Sequence, residues 1–215
     1  MRGIVLAAGC STRFGQGYPK PLAVLGNGKS ILRHVVDSMR FLGLRVTVVV
    51  GYEPAMIMKE VAWDVSFAYN PWYANTSYIT SLLVATLAFS DDAFLVAYAD
   101  TIVRRSDILN VYRTCESVLL SRYDGGSDTA KARVADGVLV ETASPEAEVG
   151  WNPMGFAGYA HVTRKLLRGL DLISDVRMIE LMQGCRVIEC ESVNVNTPAD
   201  IPRATDLLKG EESEG

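Results

Sequence analysis

The sequence predicts an α/β protein built on a mainly parallel, twisted sheet with helices on both faces and a small antiparallel addition over about residues 117–160. Three observations lead there. Apolar runs at Ile4–Leu6, Leu44–Val50 and Ala93–Ala99 stop at small residues, Gly51 or Asp100, the pattern of strands buried on both faces. A helical period separates the first two runs, which makes a βαβ unit. From 129 to 142 the period drops to two around Ala135-Asp136-Gly137, the mark of a hairpin.

The elements follow in order. The first strand empties into Ala7-Ala8-Gly9. Ala23–Lys29 reads as a short edge strand with a Gly26-Asn27-Gly28 turn, and Ser30 caps a helix whose apolar face is Ile31, Val35, Met39 and Leu42, stopped by Gly43. Pro54–Val61 is a short helix and Trp63–Phe67 the next strand. Asn70–Leu82 is a polar, aromatic loop feeding a helix at about Thr80–Phe89, and Asp100 ends the strand that follows. Asp107–Thr114 is a helix, Ser117–Ser121 a strand, Asp124–Asp128 a turn, and Thr129–Val134 with Val138–Thr142 the hairpin. Helices are expected over Val162–Gly169 and Ser174–Gln183, and a strand over Arg186–Glu191. Thr197 caps a terminal helix begun by Pro198, leaving residues 1–209 as one domain and 210–215 as a frayed acidic tail.

At 215 residues the chain buries one core, and no apolar run reaches the ~20 residues of a membrane span. Met1-Arg2-Gly3 leads straight into the first strand without a signal peptide, so a cytoplasmic protein is expected. A net charge of −4 argues against nucleic acid as a partner. Cys10, Cys115, Cys185 and Cys190 lack the spacing of a zinc site, and Cys10 reads as a small filler in a tight turn.

The chemistry gathers at the end of the first strand. Ala8, Gly9 and Gly15 leave backbone N–H groups unshielded, Ser11 and Thr12 add hydroxyls, and Arg13 and Lys20 add positive charge, a set that suits a polyphosphate. The letters exclude both the dinucleotide spacing and the P-loop, although an ordinary strand-to-helix turn with a basic rim would read alike. Pro19 and Pro21 stiffen the segment that presents Lys20. Asp100, at the carboxyl end of a central strand, lands at the same crevice, where a hard cation needs an oxygen; a helix cap is the competing reading.

Leu6-Ala7-Ala8-Gly9, Thr12-Arg13 and Pro19-Lys20-Pro21-Leu22 resemble the signature of the sugar-phosphate nucleotidyltransferase superfamily. The resemblance implies a Rossmann-like fold of the nucleotide-diphospho-sugar transferase type, phosphate contacts from Arg13 and Lys20, and magnesium on Asp100. Val193–Ile201 resembles the family's closing motif, which puts Asn196 in the place of a second metal ligand, where an aspartate is common. Over nearly its full length the chain looks most like the cytidylyltransferases for inositol-1-phosphate and phosphocholine. The partners implied are CTP and a small phosphorylated acceptor, with room for a homodimer.

In this reading the nucleotide is held by Leu6, Ala7, Ala8, Gly9, Ser11, Thr12, Arg13, Lys20, Tyr78, Thr80 and Ser81. The acceptor meets Trp72, Tyr73, Lys131, Asn152 and Gly155, with Trp72, Tyr73 and Trp151 able to cage a choline. Arg13, Lys20 and Lys131 carry the catalytic charge, and Arg133 shares Lys131's face of the hairpin by period two. The alternatives are a sugar-1-phosphate or molybdenum-cofactor nucleotidyltransferase, or a catalytically silent nucleotide-binding protein on the same fold.

Overall fold

The computed structural model describes residues 1–10, 14, 18–123 and 130–212. β1 (Arg2–Leu6) is buried along its whole length, and α1 (Ile31–Phe41) starts where Ser30 Oγ accepts the N–H of Arg33. Gly43 ends it in the left-handed region at φ 75°. β2 (Arg45–Val50), α2 (Pro54–Val61), β3 (Ser66–Tyr69), α3 (Tyr78–Thr86) and β4 (Ala93–Tyr98) follow. After β5 (Thr101–Val103) and α4 (Arg105–Arg113) come β6 (Ser117–Arg122), β7 (Lys131–Ala135), β8 (Val138–Ala143) and the long β9 (Met154–Thr163). α5 (Met178–Leu181), β10 (Arg186–Glu189), β11 (Ser192–Asn194) and α6 (Ile201–Glu212) complete the chain.

Among the described residues nine strands form one sheet in the order β3-β2-β1-β4-β9-β6-β10-β8-β7. β3, β2, β1 and β4 are parallel, as the βαβ reading requires. β9 then runs antiparallel to both β4 and β6, so the sheet is mixed through its middle, and the antiparallel part is larger than an addition. Lys131 and Ala132 of β7 also pair with Gly155 and Met154 of β9, which closes β9, β6, β10, β8 and β7 into a circuit of pairings. Helices cover both faces. Val5 and Ala7 face a core shared with α1, α2, α4 and α6, whereas Ile4, Leu6 and Ala8 face one shared with α3 and α5.

Several expected elements change. Val162 and Thr163 stay in β9, opposite Phe94 and Ala93, and the helix expected over Val162–Gly169 is a set of turns. The helix over Ser174–Gln183 shrinks to α5, because the carbonyls of Leu172 and Ser174 accept from the hydroxyls of Thr80 and Ser77 at the head of α3. Ala23–Lys29 carries only an isolated bridge, Val24 to Ser30. β5 and β11, three residues each and paired with one another, are too short for a period to reveal them. α6 continues to Glu212, into the segment expected to fray. The Asp124–Asp128 turn lies outside the described residues, and among those described no helix is long and apolar enough to cross a membrane.

His34 gives the fold a pH dependence. It lies on the buried face of α1, and burial first, then the charges of Arg105 and Lys29, lower its pKa from 6.5 to about 4. The unfolded chain therefore takes up the proton before the folded one does. Stability from this group is complete above pH 6.5 and is lost as pH falls toward 4, by about 3 kcal/mol. Chemical denaturation at pH 7, 5.5 and 4.5 should show that slope, and His34→Leu should flatten it; an equal slope in the variant would assign the acid sensitivity elsewhere.

Candidate active site

β1 and β4 are neighbours and end side by side, so Ala7–Gly9 and Ala99–Asp100 form one corner at the carboxyl edge of the sheet. The ladder holds the corner in shape. Ala99 N–H donates to the Leu6 carbonyl, Ala7 N–H to the Val49 carbonyl and Tyr52 N–H to the Ala8 carbonyl. Gly51 permits this. A Cβ there would lie 2.7 Å from the Ala8 carbonyl oxygen and 2.5 Å from Tyr73 Cβ, closer than side chains tolerate.

Lys20 enters from the short helical turn Lys20–Leu22, which Pro19 and Pro21 frame. Its Nζ lies 2.8 Å from Asp100 Oδ2 and 3.3 Å from Asn196 Oδ1. Three residues distant in sequence thus meet at one point. Asn196 arrives there because β11 pairs with β5 and Val195 N–H continues the ladder onto the Asp100 carbonyl at 2.8 Å. Thr101 Oγ1 donates to the other carboxylate oxygen, Oδ1, at 3.1 Å. Asp200 does not join them. Its Oδ2 accepts from the backbone N–H groups of Asn196 and Thr197 and from Thr197 Oγ1, the helix-start role its position predicts.

A cavity of about 190 Å³ opens over this point, with Leu6, Gly9, Lys20, Tyr78, Asp100 and Asn196 in its wall. Tyr78 stacks on Tyr98 at 4.3 Å between ring centroids, and Tyr98 meets Phe156 edge-on at 4.9 Å. Burial, with the neighbouring Tyr78 and Asp100, raises the Tyr98 hydroxyl well above its usual range, so it stays protonated. The oxygens of Asp100 and Asn196 already share one cation, the Lys20 ammonium, and a divalent ion fits the same donors. Among the described residues no cluster of three or more His, Cys, Asp or Glu side chains could hold a metal.

The structure brings Leu6, Ala7, Gly9, Lys20, Tyr78, Asp100 and Asn196 to this cavity, together with Cys10, Phe14 and Ala99, for which only the tight loop in the sequence hinted. Ser11, Thr12, Arg13 and Gly15 lie outside the described residues. Thr80 and Ser81 sit beneath the corner. The Thr80 hydroxyl donates to the Leu172 carbonyl at 2.9 Å, and Ser81 Oγ accepts from Asn70 Nδ2 at 3.0 Å, which locks the head of α3.

The acceptor residues are more scattered. Lys131 and Gly155 are partners in register, but the Lys131 ammonium donates to the Ala147 carbonyl and lies 5.5 Å from the Tyr123 ring. Arg133 pairs with Glu141 at the surface at 2.8 Å, and it keeps the period-two face expected with Lys131, since the register is regular from Lys131 to Arg133 and shifts only after it. Trp151 and Asn152 line a separate cavity with Arg133 and Met154. Trp72 is exposed, and Tyr73 packs near Tyr52 with ring centroids 6.5 Å apart. Among the described residues no ring contact joins Trp72, Tyr73 and Trp151.

Residues 3–171 match the model of the MobA-like NTP transferase domain. No curated protein matches the chain in sequence. Among solved structures, the inositol-1-phosphate CTP transferase of T. maritima is similar at a TM-score of 0.74 and 16% identity, over 97% of this chain and 96% of that one. A Bacillus anthracis protein assigned as a glucose-1-phosphate thymidylyltransferase gives 0.77 and 16%, over 96% and 94%. The CTP:phosphocholine cytidylyltransferase of Streptococcus pneumoniae gives 0.73 and 16%, over 96% and 98%. At these identities the likeness carries the fold.

Proposed function

The chain belongs to the family of MobA-like NTP transferase domains and is a nucleotidyltransferase, and on that premise we propose that it moves CMP from CTP to a small phosphorylated alcohol, releasing pyrophosphate. The observation that carries the reading is the meeting of Lys20, Asp100 and Asn196 at the mouth of the β1–β4 corner. A phosphate oxygen of the acceptor attacks the α-phosphorus of CTP, the bond to the β-phosphate oxygen breaks, and pyrophosphate leaves with that electron pair. The acceptor already carries its charge, so no protein base is needed. The obstacle is repulsion between two polyanions.

The residues divide that task. Asp100 and Asn196 would hold magnesium, which when bound neutralises charge at the α-phosphate. Lys20 exchanges the carboxylate for the triphosphate, and Arg13 completes the phosphate contacts. The Tyr78 and Tyr98 rings flank the corner, and the Leu6–Gly9 backbone reads the base. Among the described residues the groups of that backbone not committed to the ladder include the Ala7 carbonyl and the Ala8 and Gly9 N–H groups. A carbonyl there accepts from the cytosine amine and repels the uracil or thymine oxygen, a difference of about 1–3 kcal/mol.

Pyrophosphate release with CTP, UTP, TTP, ATP and GTP at equal concentration, against inositol-1-phosphate, phosphocholine and sugar 1-phosphates, tests the assignment. CTP should lead by about tenfold or more. A tenfold lead for UTP, TTP or GTP would overturn the cytidylyl reading and spare the nucleotidyltransferase one. Nucleotide binding without release from any acceptor would favour the silent protein.

A further inference from the structure

A second cavity, of about 380 Å³, opens along the same edge of the sheet between the end of β6, the start of β9, β11 and α6. It adjoins the nucleotide corner. Phe156 in its wall is the ring that meets Tyr98, two residues before Asp100. Asn194 in its wall is two residues before Asn196, and the intervening Val195 is buried in the core with Val193, so both amides leave the chain on the side away from that core.

Its chemistry is cationic and hydroxyl-seeking. Arg122, at the end of β6, and Arg203, in the first turn of α6, open on it, and neither forms an ion pair within 4.0 Å among the described residues. Glu191, a carboxylate of the wall, is already paired with Arg104 at 2.6 Å. The Cys190 thiol is pushed up to about 12 by burial and adds no charge. Ser192 Oγ donates to Ser121 Oγ at 2.7 Å, which leaves the Ser121 proton to give. Asn194 Oδ1 is buried with no donor among the described residues, on a residue that lines the cavity.

We propose that this cavity seats the acceptor, that Arg122 and Arg203 are its anion clamp, and that it takes a polyol or sugar phosphate in preference to phosphocholine. The proposal rests on the transferase reading above. A trimethylammonium group needs free aromatic faces. Here the Tyr123 ring already has the Lys131 ammonium 5.5 Å from its centroid, the Phe156 ring is engaged by Tyr98, and two arginines repel a cation. A hydroxyl-bearing ligand instead supplies the donor that Asn194 lacks and accepts from Ser121.

Titration calorimetry with inositol-1-phosphate and with phosphocholine, with and without a non-hydrolysable CTP analogue, tests this on the full chain. The wild type should prefer inositol-1-phosphate. Arg122→Gln and Arg203→Gln should each weaken it by about tenfold to a hundredfold, the effect of one charge-assisted contact, while the CTP analogue binds unchanged. Arg168→Gln, at an exposed position outside these cavities, serves as the surface control. In turnover the acceptor KM should rise with the CTP KM unmoved. Unaltered acceptor binding in both arginine variants, no binding of inositol-1-phosphate to the wild type, or a preference for phosphocholine would each overturn the proposal. Turnover of CTP by clamp variants with a normal acceptor KM would sink the clamp and keep the transferase; loss of polyol phosphate binding in a protein that turns over no triphosphate would do the reverse.

Discussion

Asp100→Ala is expected to lower nucleotidyl transfer by about a thousandfold or more while the protein keeps a cooperative unfolding transition. Asp100 would hold magnesium, whose charge would stabilise the attacked α-phosphate by several kcal/mol, and each 1.36 kcal/mol is a factor of ten. Asp100 would be the charged ligand of the pair, because the amide of Asn196 brings an oxygen without a charge. The cost to folding is smaller. The side chains of Lys20 and Asp100 are 15% and 11% exposed, so losing the carboxylate strips a partly sheltered ammonium of one partner, at about 1–3 kcal/mol against a typical 5–15 for a domain. Steady-state turnover and thermal unfolding of the same preparation separate the two effects. An Asp100→Ala protein that fails to fold would make the residue a structural anchor for Thr101 and Lys20; one that folds and turns over normally would remove it from the metal.

The corner was readable in the letters because its demands are local. A strand must end, small residues must follow, a proline-framed lysine must return, and each leaves a mark within a few positions, as Leu6–Gly9 and Pro19–Leu22 do. Asp100 and Asn196 were readable as the ends of their segments, although their meeting depends on β5 pairing with β11, two strands of three residues that no period reveals. The mixed sheet was harder. Nothing in Met154–Thr163 states that it enters between β4 and β6 from the opposite direction, and its β-branched end at Val162 and Thr163 sat beside leucines and lysine that mimic a helix. Thr80 and Ser81 are a related case. A hydroxyl near a site reads alike whether it faces a ligand or, as here, ties α3 to the Leu172 carbonyl and to Asn70. Arg122 and Arg203 gave no signal at all, since a lone arginine at a strand end or in a helix start is ordinary until the fold brings the two to one cavity.

Lys20→Met should have two effects of opposite sign. Turnover should fall by about tenfold to a hundredfold, the value of a charge-assisted contact to phosphate. Divalent metal binding without nucleotide should rise by about tenfold or more. The ammonium lies 2.8 Å from Asp100 Oδ2 and 3.3 Å from Asn196 Oδ1, the oxygens proposed for the metal. Two cations cannot share them without repulsion on the order of kcal/mol at such separations. A metal arriving alone must therefore displace the lysine, whereas one arriving with a triphosphate finds the lysine drawn to the phosphates. Methionine keeps the aliphatic stem and removes the competitor. Electron paramagnetic resonance of Mn²⁺ with the nucleotide-free protein reads this directly, with Lys20→Met/Asp100→Ala as the control that should bind least. Equal or weaker Mn²⁺ binding in Lys20→Met would mean that the lysine and the metal do not contend for Asp100. Tighter binding with unchanged turnover would take Lys20 off the phosphates and leave it as the placeholder for the metal alone.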